Sequence, residues 1–350
     1  MILDSVNPHG GDVYLQTVRL DFSANVNPFG APKEVREAVR AAAGNLDAYP
    51  DPRCGERRRA LAKQLGVYAG EIVCGNGASE LLFQFCAALR PKRALLPVPC
   101  FSDYEAALRA AGCAPAYFPL LREEGFQLSS QILNAIIPET ELLMLASPNN
   151  PTGLCVAPAL LRQILTRCRE TGTWLFLDEC FFELTDAERA DSLLTELREH
   201  DRVFLLRAFT KAWAMAGLRL GYGICKNPVL LNRLCALSQA WNVSGPAQAA
   251  GLAALRRPDW PEQARTLISR EKPRLKKALE QLGLTVLPGD ANYLFFSGPP
   301  ELDSKLAERG ILIRNCANYR GLRVGDYRVA VRKRRNNREL IETMREVLHD

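Results

Sequence analysis

Short apolar runs alternate with helical patterns through the first two thirds of the chain. Runs of four to six apolar residues bounded by turn residues are typical of strands buried on both faces. The predicted strands cover residues 94–98, 141–146, 174–177 and 203–206, and the helical stretches lie near 103–111, 157–171 and 187–199. Strands that alternate with helices predict an α/β fold with a mostly parallel sheet and helices on both of its faces.

The pattern changes after about residue 240, where a smaller α+β domain is predicted. Its helices are expected near 262–282 and 301–309, its strands near 284–287, 292–296, 311–313 and 327–331, and a last helix follows. We therefore divide the chain into an N-terminal arm that also contributes to the small domain (1–44), a large domain (45–240) and a C-terminal small domain (241–350).

Residues 20–30 form a polar segment that contains Asn25, Asn27, Pro28 and Gly30. From these residues alone we expect a loop with two Asx turns and not a core element. An arm that folds over a substrate pocket is the alternative interpretation.

Composition adds several exclusions to this picture. With 350 residues, 47% hydrophobic and 24% charged, the chain is an ordinary globular protein with room for two domains. It has no apolar run of membrane-span length and no signal-peptide pattern, so we expect a cytoplasmic protein without membrane contact. The eleven cysteines include no Cys-x-x-Cys pair and there are only three histidines, which favours reduced thiols and argues against a metal site.

The net charge of +6 suits a small anionic substrate. The densest basic run, residues 332–335, has no aromatic residues between its charges. A solvated helix start is therefore favoured over a nucleic-acid patch, and we expect no nucleic-acid partner.

The most informative stretch begins at the predicted strand 203–206 and continues to Lys211 and Arg219. A lysine at the end of a buried strand is costly unless it is used or paired. A desolvated amine near other cations loses its proton and forms Schiff bases with carbonyl compounds. An arginine eight residues later can bind a phosphate, and this combination is what pyridoxal phosphate requires.

A second anion site is predicted at residues 75–79, where Gly75 and Gly77 lie between a strand and a helix start. Free backbone N–H groups and the positive helix end would face one ligand. The dinucleotide fingerprint would need a third glycine where Glu80 stands, so a nicotinamide-dependent oxidoreductase remains only a weak alternative.

Five such features follow predicted strands and should meet at one edge of the sheet, because ligands of parallel sheets bind beyond the carboxyl ends of the strands. They are the glycine cup at 75–79, Phe101, Asn150, Asp178 and Lys211.

These motifs identify a resemblance to the fold-type-I pyridoxal-phosphate enzymes of the aminotransferase class I/II superfamily. It rests on the Asn-Pro-Thr-Gly motif at 150–153 with Asp178, Lys211 and Arg219 at the family's spacing. Within the superfamily the chain most resembles the threonine-phosphate decarboxylases of cobalamin biosynthesis, and next the histidinol-phosphate aminotransferases. The features that favour the decarboxylases are His9-Gly10-Gly11, residues 21–27, Phe181 and residues 313–319.

The resemblance implies that pyridoxal phosphate is the cofactor and assigns residues to it. The implied catalytic residues are Lys211, which would form the internal aldimine and move protons, and Asp178, which would keep the pyridine nitrogen protonated. The implied cofactor-binding residues are Tyr49, Gly77, Ala78, Ser79, Phe101, Asn150, Asp178, Thr210, Lys211 and Arg219. The implied substrate-binding residues are His9, Asn25, Asn27, Arg314 and Arg328.

Three roles have a specific geometry. Phe101 would stack on the cofactor ring, and Asn150 would hydrogen-bond its O3′ atom. Tyr49 would reach the cofactor phosphate of the partner subunit, which implies a homodimer.

Two departures from the family pattern bear on function. Position 208 is Ala where relatives commonly place a hydroxyl on the cofactor phosphate, and position 181 is Phe where aminotransferases usually have a Tyr that donates to O3′. The expected reaction is decarboxylation of L-threonine O-3-phosphate to (R)-1-aminopropan-2-yl phosphate and carbon dioxide. An aminotransferase acting on histidinol phosphate or a similar amino acid and a serine-phosphate decarboxylase are the alternatives.

Overall fold

A computed structural model of the chain describes residues 9–14, 17–185 and 192–349. Its strands are β1 Leu20–Asp21, β2 Ile72–Gly75, β3 Ala94–Val98, β4 Ala116–Pro119, β5 Leu142–Ala146, β6 Trp174–Asp178, β7 Val203–Ala208, β8 Gly221–Ile224, β9 Thr285–Val286, β10 Tyr293–Ser297, β11 Ile311–Leu312, β12 Arg314–Asn315 and β13 Asp326–Ala330. Its α-helices are α1 Lys33–Ala42, α2 Gly55–Leu65, α3 Ala78–Leu89, α4 Ser102–Ala110, α5 Ile132–Ala135, α6 Pro158–Thr171, α7 Phe209–Ala212, α8 Pro228–Leu237, α9 Gly245–Leu255, α10 Asp259–Gln281, α11 Leu302–Glu308 and α12 Arg334–His349.

The large sheet has seven strands in the order β2-β8-β7-β6-β5-β3-β4. Strand β8 is antiparallel to both of its neighbours, and the remaining pairs are parallel. Strands β2, β3, β5, β6 and β7 therefore end at the same edge of the sheet. The mostly parallel α/β fold predicted from the sequence is confirmed.

The sheet is buried on both faces, which explains why its strands are continuous apolar runs. All six residues of β7 are buried. Phe176 and Phe204 point to one face, where they pack with Phe85 of α3 at centroid distances of 5.0 and 4.9 Å. Alternate residues such as Leu175 and Leu205 point to the other face and share a core with α6 and α9.

A second, antiparallel sheet lies in the C-terminal part of the chain, with strand order β12-β13-β10-β9. Strand β1 pairs in parallel with β11, so the N-terminal segment joins this part of the fold. The pairing fits an N-terminal arm that contributes to the small domain, while the domain boundaries stay a prediction.

The expectation that residues 20–30 lie outside the core is wrong. Phe22 has no exposed surface, and its backbone N–H donates to the carbonyl of Leu312 at 2.8 Å. The two Asx turns are present: Asp21 Oδ1 accepts from the N–H of Ser23 at 2.8 Å, and Asn27 Oδ1 accepts from that of Phe29 at 2.9 Å. The sequence predicts the two turns, because their hydrogen bonds are local. It does not predict the burial of this segment, because a distant strand causes it.

Three smaller expectations also need correction. Within 192–199, the described part of the predicted helix 187–199, the only helical element is a 3-10 turn at Glu196–Glu199. Strand β4 was not predicted, because it is a half-exposed edge strand that ends in Pro119. Strand β12 was also missed, since two residues are too few to show a period.

Across the described residues, no helix combines the length and apolar character needed to cross a bilayer.

The close packing of β8 on β7 generates a stability prediction. A Cβ atom at Gly223 would lie 2.1 Å from Cζ of Phe204, a ring that is completely buried and cannot move aside. We expect Gly223→Ala to lower the free energy of unfolding by about 2 kcal/mol through overpacking, measured as a lower urea midpoint. Gly70→Ala is the control, because a Cβ there would meet no atom within 4 Å. Equal midpoints for the two variants would contradict the packing argument.

Candidate active site

One cavity of about 300 Å³ lies at the carboxyl ends of the parallel strands. Eleven of the fifteen residues singled out from the sequence line it: His9, Asn25, Ala78, Ser79, Phe101, Asn150, Asp178, Thr210, Lys211, Arg219 and Arg328. They come from the N-terminal segment, from the ends of β3, β5, β6 and β7, from the start of α3, and from β13. The fold therefore brings the two predicted parts of the chain together at one place.

The glycine cup forms the anion-binding end of the cavity. Gly77 precedes α3 with φ of +84°, a conformation that favours glycine, and the N–H groups of Ala78 and Ser79 begin the helix. A Cβ on Gly77 would lie 2.6 Å from Nη2 of Arg219, so the missing side chain lets the guanidinium cover the helix start. Backbone donors, a helix N-terminus and an arginine together can hold a phosphate dianion.

Lys211 lies on the short helix α7, immediately after β7. The pKa of its amine is lowered to about 8. Burial is the largest cause, and the charges of the nearby Arg328 and Arg219 guanidinium groups contribute to the same shift. The ring of Phe181 lies 5.3 Å from the Lys211 Nζ atom. A substantial fraction of this amine is therefore neutral near pH 8, as nucleophilic attack on a carbonyl requires.

Asp178 ends β6 and has two hydrogen-bond donors. Its Oδ1 atom accepts from the backbone N–H of Cys180 at 2.8 Å, and its Oδ2 atom accepts from the hydroxyl of Tyr104 at 2.7 Å. Such donors favour the ionised carboxylate. An ionised Asp178 could hold a protonated ring nitrogen.

Asn150 and Arg328 meet on the opposite wall. The Arg328 guanidinium donates to Asn150 Oδ1 and to the carbonyl of Ser23, the latter at 2.8 Å, while its Nε atom is buried without a partner. The hydroxyl of Tyr319 donates weakly to the same Asn150 oxygen at 3.4 Å. Since an unpartnered buried donor is costly, the Arg328 Nε atom marks a place for an acceptor.

The N-terminal segment covers the cavity. Asn25 is 1% exposed, yet neither its amide nitrogen nor its amide oxygen has a hydrogen-bond partner. His9 lies at the rim, with Nε2 at 3.2 Å from Asp103 Oδ1 and its ring 5.7 Å from that of Phe101. The arm predicted as the alternative interpretation of residues 20–30 is the arrangement observed.

Four of the predicted residues do not line the cavity. Gly77 is one of them, and it lies against the guanidinium of Arg219. Asn27 also lies outside the cavity lining: its side chain donates to the carbonyl of Ala212 at 2.7 Å, and its backbone N–H donates to that of Lys211 at 2.9 Å. Its predicted role toward the substrate stays a prediction. Arg314 does not line the cavity either: it is buried, and its guanidinium lies 5.2 Å from the ring of Tyr319. Its predicted role toward the substrate stays a prediction.

Tyr49 is the fourth residue that does not line the cavity, and it lies at the protein surface. Its side chain is 78% exposed and stacks on Trp241 with centroids 4.3 Å apart. It does not reach the cavity of its own chain.

The cavity-lining residues that sequence reasoning did not assign include Tyr104, which binds Asp178, Asp103, which pairs with His9, and Tyr319, which bonds to Asn150. Tyr104 and Asp103 follow Phe101 on the first turn of α4. Their proximity to a predicted strand end was the available signal. Tyr319 arrives from the other domain, and no local signal could have placed it there.

Both departures noted in the sequence face the cavity. Ala208 is buried beside Thr210 and provides no hydroxyl. Phe181 is 9% exposed and packs edge-on against Tyr293 at 5.2 Å.

The lowered pKa of Lys211 gives a pH-dependent prediction for the apoprotein. An amine with pKa near 8 becomes about tenfold more nucleophilic between pH 7 and pH 9 and then levels off, whereas one near 10.4 gains about 100-fold. We expect acetylation of Lys211 by an active ester, followed by mass spectrometry, to show the tenfold profile. Exposed Lys277 in the same digest corrects for reagent decay. A steady rise of Lys211 labelling through pH 9 would contradict the argument.

Comparison with known proteins agrees with this geometry. The family model "Aminotransferase class I and II" matches residues 17–344. A threonine-phosphate decarboxylase of Salmonella typhimurium is 37% identical over 333 residues, which cover 94% of this chain and 91% of the relative. Histidinol-phosphate aminotransferase 2 of Archaeoglobus fulgidus is 33% identical over 334 residues, which cover 94% of this chain and 93% of the relative.

The fold also resembles that of solved structures. Histidinol-phosphate aminotransferase from Sinorhizobium meliloti, solved in complex with pyridoxal-5'-phosphate, superposes with a TM-score of 0.87, covering 99% of this chain and 96% of that one at 22% identity. The cavity fits that cofactor, because it offers a phosphate cup, a lysine with a lowered pKa and a carboxylate that accepts hydrogen bonds from two donors. The chain therefore belongs to the aminotransferase class I and II family and is a pyridoxal-phosphate-dependent enzyme.

Proposed function

We propose that the protein decarboxylates L-threonine O-3-phosphate to (R)-1-aminopropan-2-yl phosphate and carbon dioxide. The observation that carries this proposal is the phenyl ring of Phe181 beside the reactive lysine, where a tyrosine hydroxyl would favour transamination. The 37% identity to a threonine-phosphate decarboxylase over nearly the full chain supports the same reaction.

The cofactor's residues follow from the geometry of the cavity. Ser79, Thr210, Arg219 and the N–H groups at the start of α3 would hold the phosphate, and Phe101 would stack on the ring. Asn150 would bond to the ring hydroxyl and Asp178 would hold the ring nitrogen. Pyridoxal phosphate, when bound, supplies an electron sink for the pair released from a bond to the substrate Cα.

The substrate would be held at two points. His9 and Asn25 would face its distal phosphate, which gives a purpose to the unpartnered amide of Asn25. Arg328 would bind the substrate carboxylate through its Nε atom, which is buried without a partner. Each terminal nitrogen keeps a second hydrogen besides the one that it donates to Asn150 or Ser23.

The orientation of the substrate carboxylate bears on the choice of reaction. The bond that breaks must lie perpendicular to the cofactor ring, so that its electrons can enter the ring system. A bidentate arginine would hold the carboxylate close to the ring plane, as transamination needs. A distal phosphate held at the other end of the substrate would turn the carboxylate out of that plane. The Cα–carboxylate bond would then be the one that breaks, and carbon dioxide would leave without the electron pair of that bond. Lys211 in its protonated form would deliver a proton to Cα.

An aminotransferase acting on histidinol phosphate is the second candidate. It is favoured by the 33% identity to a histidinol-phosphate aminotransferase and by the position of Arg328 on the cavity wall. Serine phosphate differs from threonine phosphate by one methyl group, which a pocket distinguishes by only about 1–3 kcal/mol.

We further propose a homodimer in which Tyr49 completes the cofactor site of the partner. Tyr49 and Trp241 stack on each other at the surface, with Tyr49 78% and Trp241 44% exposed. A phenol that points away from its own cavity is available to a second chain.

The decisive assay compares two products. We expect the cofactor-loaded protein to release carbon dioxide from L-threonine O-3-phosphate and to form no glutamate when 2-oxoglutarate is present. L-serine O-phosphate, tested in parallel, reports on the methyl group. Glutamate formed from histidinol phosphate, without carbon dioxide from the threonine compound, would establish the aminotransferase instead.

The role of Phe181 is tested by restoring the hydroxyl. We expect Phe181→Tyr to raise the fraction of turnovers that end in transamination by about fivefold, the effect of one hydrogen bond of about 1 kcal/mol. Phe182→Tyr is the matched control, because Phe182 packs under Arg207 at 4.9 Å and does not line the cavity. Equal product ratios in both variants would remove the argument from Phe181.

The dimer is tested by complementation. Tyr49→Ala and Lys211→Ala should each weaken or abolish the visible absorbance of bound cofactor. In mixed dimers one site carries both substitutions and the other carries neither, so absorbance should return at half of the heterodimer sites. Heterodimers that form without such recovery would show that Tyr49 does not act across the interface.

A further inference from the structure

Tyr104 is a buried residue that the proposed function leaves without a role. It lies on the first turn of α4, and 1% of its surface is exposed. Its ring packs edge-on against Phe101 at 5.7 Å and against Phe176 at 6.3 Å. These contacts leave the hydroxyl little freedom of direction, and it points at Asp178 Oδ2 from 2.7 Å.

The direction of this hydrogen bond is determined by chemistry. A carboxylate can only accept, so the Tyr104 hydroxyl donates. Burial raises the pKa of Tyr104 well above its ordinary value, and the charge of Asp178 raises it further. The phenol therefore stays protonated and remains a donor over the whole working range of pH.

Asp178 therefore accepts one hydrogen bond from a backbone donor and one from a side-chain donor. The backbone N–H of Cys180 occupies Oδ1, and Tyr104 occupies Oδ2. Hydrogen bonds to a carboxylate stabilise its charged form and lower its proton affinity. Any further donor, such as a protonated ring nitrogen, must share the carboxylate with these two.

We propose that Tyr104 is a positioning residue that orients Asp178, so that the cofactor's ring nitrogen keeps its proton. The inference rests on the part of the proposed function that pairs Asp178 with this nitrogen, and it holds for either reaction. Tyr104 also links two sides of the ring site. Its N–H donates to the carbonyl of Phe101 at 3.2 Å, so the stacking ring and the carboxylate are held by one turn of helix.

The test uses Tyr104→Phe, which keeps the packed ring and removes only the hydroxyl. Without that donor, Asp178 should draw the ring-nitrogen proton toward itself. The apoprotein is reconstituted with pyridoxal phosphate labelled with ¹⁵N in the ring, and the nitrogen chemical shift should move toward that of the unprotonated ring. The loss of positive charge should also raise the pH midpoint of the cofactor's visible absorbance change, by about half a unit to one unit.

Two further variants make the result interpretable. Tyr117→Phe removes a partly exposed phenol on β4 that lies outside the cavity, and it should change neither signal. Asp178→Asn should change both signals strongly, and Tyr104→Phe should add nothing in that background. Unchanged ¹⁵N shift and midpoint in Tyr104→Phe, with Asp178→Asn altered, would overturn the role of Tyr104. If Asp178→Asn itself changed neither signal, the pairing of Asp178 with the ring nitrogen would fail instead.

Discussion

The burial of one lysine amine near two arginines is the constraint on which this site depends. Lys211, Arg219 and Arg328 face the same cavity, and the carboxylates of Asp178 and Asp103 also line it. Burial disfavours the charged amine most, and the nearby guanidinium charges add to this effect, so the lysine loses its proton more readily than in water. Two phosphate groups, one on the cofactor and one on the substrate, would neutralise the remaining charge.

The large sheet determines where these groups lie. Parallel strands end at one edge, and each loop after a strand delivers one functional side chain there. Phe101 and Tyr104 follow β3, Asn150 follows β5, and Lys211 follows β7. Arginines then enter from two sides, Arg219 over Gly77 and Arg328 from the antiparallel sheet. Because the cofactor end of the site comes from one rigid sheet, reaction type can change through the few residues at the substrate end.

Prediction from sequence was most successful where burial is symmetric. Strand β3 was predicted at its observed bounds, and β5, β6 and β7 to within two residues, because strands covered on both faces leave an unbroken apolar run. It failed where an element depends on a distant partner. Phe22 is buried by pairing with residues near 312, and Asn27 donates to the backbone of the lysine helix. The turn residues of a segment do not indicate which distant residues will bury it.

The sequence by itself determined the family, the cofactor and eleven of the residues that line the cavity, because strand ends, glycine cups and a lysine–arginine spacing are local patterns with local chemistry. Tertiary structure decided which residues complete those groups. It placed Tyr104 on Asp178, set Arg328 against Asn150 and Ser23, and placed the Arg314 guanidinium near the ring of Tyr319. These are contacts between segments far apart in the chain, and their distances depend on how two sheets and a terminal arm pack together, which no periodicity along the sequence records.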